Sequence, residues 1–155
     1  MKTPWLKALS IFSFCLFFAA CGSSNKIGNV LVDLIGCAPA DQAAQLKLSL
    51  RYSNENVFAI AISETQGKLY LNNEYVGSYV NPLPVGIPQL TSLTREGTLK
   101  VEKPEVLERI RSSSSSSVAY RLESVMLLQV SEDKSRLKSN TSGQIDAASL
   151  RATAK

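Results

Sequence analysis

"LKLSLRYSNENVFAIAISETQGKLYLNNEYVGS", residues 46–78, decides the fold. Leu46, Leu48, Leu50 and Tyr52 alternate with Lys47, Ser49 and Arg51, the two-residue period of a strand with one face buried and one in water. "VFAIAIS", residues 57–63, sets Phe58, Ile60 and Ile62 against the smaller Val57, Ala59 and Ala61, which predicts a strand covered on both faces. "KLYLNNEYVGSYV", residues 68–80, reads as strand, turn, strand. Asn72-Asn73 accepts the positive backbone angles that a two-residue hairpin demands.

The same period extends outward in both directions. "VLVDLIGC", residues 30–37, is β-branched and apolar, and "CAPADQ" ends it with turn residues. "NPLPVGIP", residues 81–88, is expected to be an irregular loop, because each of its three prolines removes a donor and restrains the residue before it. "GTLKVEK", residues 97–103, alternates again. In "PEVLERIRS", residues 104–112, Pro104 suits a first helical turn, and Val106, Leu107 and Ile110 share a face. The serines of 112–117 have no apolar side chain to bury and read as a flexible turn. "VAYRLESVMLLQV", residues 118–130, is a long strand. "SEDKSRLKSNTSG", residues 131–143, is expected to be a polar excursion, and "QIDAASLRA", residues 144–152, a last strand or a frayed tail.

The sum is an all-β chain of about seven strands with one short helix near residues 104–111 and no alternating βαβ order, which points to a β-sandwich. The expected core is Leu46, Leu48, Leu50, Phe58, Ile60, Ile62, Leu71, Leu99, Val101, Tyr120, Leu122 and Leu128.

The start of the chain bears on location. Lys2 and Lys7 precede "ALSIFSFCLFFAA", residues 8–20, a basic segment followed by an apolar run and two alanines. That is the pattern of a secretory signal, and the run is short of the roughly 20 apolar residues of a bilayer-spanning helix. Phe18-Ala19-Ala20-Cys21 resembles the lipobox of bacterial lipoproteins, with phenylalanine at Phe18 where leucine is usual. The resemblance implies cleavage before Cys21, diacylation of that cysteine, and a lipid anchor as the first residue of the mature chain. Gly22 in place of aspartate then implies transfer to the outer membrane, on its periplasmic face. A disulfide between Cys21 and Cys37 is the structural alternative, since the exported compartment is oxidising. The expected organisation is a signal peptide over 1–20, a lipidated cysteine and tether over 21–29, and one domain over 30–150. The tether's small, polar stretch "GSSNK", residues 22–26, reaches only about 20 Å when extended.

Composition limits the chemistry. The chain of 155 residues is 45% hydrophobic and carries a formal +4, but Lys2 and Lys7 supply half of that. The remaining Lys and Arg are scattered without interleaved aromatics, so no nucleic-acid partner is expected. Histidine is absent, which removes the commonest general base and metal ligand. Glu105 and Glu108 lie on a similar side of the expected helix and read as a solvated face paired with Arg109 and Arg111. Cys37 reads as a small buried hydrophobe, because nothing here would activate it. No catalytic residue, metal site or cofactor is expected.

The alternating strand, the asparagine turn and the "KLYLNNEYVGS" element together resemble the type 2 late-embryogenesis-abundant (LEA) proteins and their WHy domain. Asn54 and Asn56 match the two asparagines of the family's Asn-Pro-Asn turn, and Leu69-Tyr70-Leu71-Asn72-Asn73 matches its second element. Glu55 replaces the proline and Asn73 stands where glycine is usual. Over residues 30–148 the resemblance implies an immunoglobulin-like or fibronectin-III-like sandwich and a part in water stress. The expected function is that of a membrane-anchored, non-enzymatic, stress-protective lipoprotein. A binding or transfer module for lipid or another apolar ligand, or a scaffold for envelope proteins, is the alternative.

Overall fold

The computed structural model describes residues 28, 30–42, 44–82, 84–130 and 133–151; the signal segment and Cys21 lie outside them. The strands are β1 (Val30–Pro39), β2 (Gln45–Asn54), β3 (Ile60–Leu71), β4 (Glu74–Asn81), β5 (Val85–Ile87), β6 (Thr91–Val101), β7 (Ser117–Val130) and β8 (Asp133–Asp146). Helix α1 (Pro104–Ser112) lies between β6 and β7, and α2 (Ala147–Arg151) follows β8. All eight strands belong to one antiparallel sheet in the order β1-β2-β6-β4-β3-β7-β8, with β5 beside the start of β3.

The sheet curls until its two ends almost meet. The Val32 N–H donates to Ser139 Oγ at 3.1 Å, and Thr141 Oγ1 donates to the Val32 carbonyl at 2.6 Å. Side chains of β8 therefore satisfy the backbone of β1 where a further strand would otherwise pair, and the molecule is nearly a barrel. Bulges in β1 between Leu34 and Gly36, in β3 between Ile62 and Glu64, and in β4 between Tyr75 and Gly77, raise the local twist that such curvature requires.

The barrel's interior holds the alternating residues of β2 and their partners. Leu46, Leu48, Leu50, Tyr52, Leu71, Leu99 and Leu122 are fully buried. Tyr79 crosses β3 at Gly67 to share a hydrogen bond with Ser124 Oγ at 2.8 Å. A Cβ at Gly67 would stand 2.6 Å from the Tyr79 ring and 2.3 Å from the Glu123 carbonyl oxygen, so only glycine admits this crossing. Gly143 serves Tyr120 in the same way: a Cβ there would meet its ring at 2.9 Å.

Several expectations are corrected. The run 57–63 and the run 68–71 are not two elements, because β3 continues from Ile60 to Leu71. Phe58 stands in the loop before it and is 37% exposed, so it is not a core residue. Within the proline-rich 81–88, β5 forms at Val85–Ile87, the one stretch there in which three successive residues are free of proline. The strand expected over 97–103 begins at Thr91. The polar segment 131–143 is mostly β8, and 147–151 is helical. The helix expected at 104–111 is present as α1, and the Asn72-Asn73 turn is present with φ of 48° and 68°.

Candidate functional site

Antiparallel order sends the strand ends to two poles. At the first, β1 begins, β2 ends and β3 begins, and the loops of residues 55–59 and 88–90 meet. At the second lie the Asn72-Asn73 hairpin, α1, the serine turn and α2.

Asn54 organises the first pole. Its Nδ2 donates to the carbonyls of Phe58 at 2.9 Å, Ile87 at 3.2 Å and Pro88 at 3.0 Å. Its Oδ1 accepts from the backbone N–H of Asn56 at 2.9 Å and from Asn56 Nδ2 at 2.8 Å. Asn56 continues the network: its carbonyl accepts from the Leu90 N–H at 3.1 Å, and its Oδ1 accepts from the Gly28 N–H at 2.6 Å. Both side chains are buried. Only an amide supplies donors and an acceptor together, so two asparagines tie both loops and the incoming chain into one unit. The LEA resemblance marks both residues as members of a turn; their reach to the 88–90 loop, about 34 residues away along the chain, has no local signal.

What this network holds out is apolar. Val57 is 74% and Leu90 67% exposed, beside the half-exposed Phe58. Leu90 adopts φ 52°, a left-handed conformation that leucine avoids. Next to them, Ala59, Ile60, Ala61, Gly86, Ile87 and Pro88 line an open groove of about 420 Å³. Glu55 is the single charged residue in the loops 55–59 and 88–90.

The groups considered for chemistry are placed elsewhere. Burial pushes the Cys37 thiol up to about 12, so it is not a thiolate at neutral pH. Glu108 pairs with Arg111 at 2.9 Å and Arg109 with Glu74, while Glu105 is exposed in the first turn of α1. Ser78 Oγ donates to Glu102 at 2.6 Å; this hydrogen bond, followed by one from Tyr75, holds the Glu102 carboxyl below its ordinary value and therefore ionised. Among the described residues no cluster of three or more His, Cys, Asp or Glu side chains is placed to hold a metal ion, and no helix is long and apolar enough to cross a membrane. A surface cleft of about 580 Å³ lies beside Lys68, Glu123 and Lys138.

No family model matches the chain, and no curated protein matches it in sequence. Solved structures do match in shape. The solution structure of an Arabidopsis thaliana protein aligns with 83% of this chain and 88% of its own at TM-score 0.60 and 13% identity. The solution structure of a candidate LEA protein aligns with 94% of this chain and 88% of its own at TM-score 0.55 and 15% identity. The likeness is one of fold: the chain shares the β-rich architecture of these two proteins.

Proposed function

We propose that the chain is a non-enzymatic, stress-protective lipoprotein of the LEA type 2 kind, anchored through Cys21 to the bacterial envelope, on the periplasmic face of the outer membrane. The observation that carries the reading is the fold likeness to the candidate LEA protein over 94% of this chain. It joins the Asn54 and Asn56 turn, which the sequence resemblance had singled out and whose side chains are both buried and bonded. In this reading the curled sheet is a variant of the immunoglobulin-like sandwich, and the folded domain acts by transient contact with envelope proteins or lipid during water loss. Two or three acyl chains anchor stably where one does not.

The test is survival. Deletion of the gene lowers survival of drying and of osmotic shock, and the wild-type gene restores it. A Cys21→Ala copy restores it less, because the domain is released from the membrane. Unchanged survival of the deletion strain in both assays refutes stress protection. Intact mass of the membrane-extracted protein tests the anchor separately: the expected mass is that of residues 21–155 plus acyl groups, and a mass for all 155 residues refutes it.

A further inference from the structure

We infer that the asparagine-held pole is a second membrane contact, which seats Val57, Phe58 and Leu90 shallowly in the lipid interface beside the acyl anchor. The inference rests on the proposed lipidation of Cys21. Four observations converge on it.

The chain enters the domain at this pole, where the Gly28 N–H is bonded to Asn56. Cys21 lies seven residues before Gly28, so the anchor is within about 25 Å of the pole even with the tether fully extended. The helical pole is farther off by the length of β2, ten residues and about 30 Å along the strand. An anchor on Cys21 therefore holds this pole, and not the helical one, against the bilayer.

The exposed apolar side chains are rigidly presented. Val57 and Phe58 stand between Asn56 and the Phe58 carbonyl bonded by Asn54, and Leu90 is fixed through its own N–H. Leu90 combines two unfavourable choices, a large apolar side chain in water and a left-handed backbone that glycine or asparagine would take at less cost. The first is accounted for when the side chain lies in lipid. Finally, the loops hold one charge, Glu55, so the contact is apolar and independent of anionic headgroups.

Bromolipid quenching tests this in the full-length protein. The sequence has a single tryptophan, Trp5, within the expected signal peptide, so the processed chain is a silent background. L90W, V57W and, at the opposite pole, S114W are each extracted from membranes, weighed intact, and reconstituted into phosphatidylcholine–phosphatidylethanolamine vesicles carrying acyl-chain bromines. L90W and V57W shift to the blue and lose about half of their emission, as expected for residues buried 5–10 Å into the interface, while S114W does neither. Quenching that is absent at both tip positions, or equal at Ser114, in protein whose mass shows an acylated Cys21 overturns the inference and leaves the lipoprotein reading standing. A mass without acyl groups overturns both.

Discussion

The two poles of this barrel close the same sheet with different chemistry. At the helical pole, apolar packing does the work. Val106, Leu107 and Ile110 of α1 and Ala147 and Leu150 of α2 are buried over the strand ends. Pro104 opens α1, and Arg109 and Arg111 sit in its last turn, where they favour the carbonyl end of the helix dipole. Arg151 then donates to the carbonyls of Arg111, Ser113 and Ser115, so the serine turn is held by its backbone. At the other pole no helix intervenes among the described residues, and amides replace apolar cover. Two buried asparagines satisfy the loop backbones, and the hydrophobic side chains face outward. A pole closed by packing hides its apolar groups; a pole closed by hydrogen bonds is free to display them.

The largest effect should come from breaking the amide network. Asn54→Ala takes the Asn54 partner from the Phe58 carbonyl and from both Asn56 amide donors, while the Pro88 carbonyl keeps Thr91 Oγ1, and should destabilise by about 3–5 kcal/mol in urea unfolding, given 1–3 kcal/mol for each buried polar group orphaned. Restoration of wild-type stability by Asn54→Asp would refute the donor role, because a carboxylate accepts but cannot donate. At the helical pole, Leu107→Ala should cost about 2–4 kcal/mol through cavity formation. It should also speed labelling of Cys37, which lies within the electrostatic reach of Arg111 on α1. Labelling that is rapid in the wild type, without unfolding, would contradict the packed pole.

Alkali should weaken the core that both poles enclose. Burial raises the Cys37 thiol from 9.0 to about 12, and the hydroxyls of Tyr52, Tyr79 and Tyr120 are raised mainly by the same cause. The folded chain keeps protons that the unfolded chain releases, so this stability is complete below about pH 9 and is lost as pH rises toward 12. Urea midpoints measured across that range should fall steadily, and a flat profile would show that these groups are not buried on folding. The smallest effect separates stability from display. Leu90→Asn should raise stability by about 0.5–1 kcal/mol, because asparagine tolerates the left-handed backbone. A thermal midpoint below that of the wild type would indicate that Leu90 packs against the fold instead of standing out from it.

How far the sequence could be read depended on the range of the interaction that set each element. The alternation of β2, the Asn72-Asn73 hairpin and α1 are local patterns, and each forms where the residues place it. The segment 131–143 was misread because its inward positions are polar. Ser139 and Thr141 face β1, where their hydroxyls bond Val32, and only a sheet that returns to its own beginning makes serine a suitable inward residue. Phe58 was misread for a related reason. It continues the alternation of Ile60 and Ile62 but lies before β3 begins, since the Asn54 amide takes its carbonyl into the loop.

By itself, the sequence determined that this is a chain of antiparallel strands with a helix at 104–112, an asparagine turn at 54–56 and no histidine for chemistry. Side-chain period and turn preference are local properties of the chain, so they survive without knowledge of neighbours. Only the tertiary structure decided that the sheet curls onto itself, that Asn54 joins loops remote in sequence, and that Val57 and Leu90 stand together where the chain enters. Those outcomes depend on which backbone groups are left unpaired once the strands have closed, a quantity that exists only in the folded molecule.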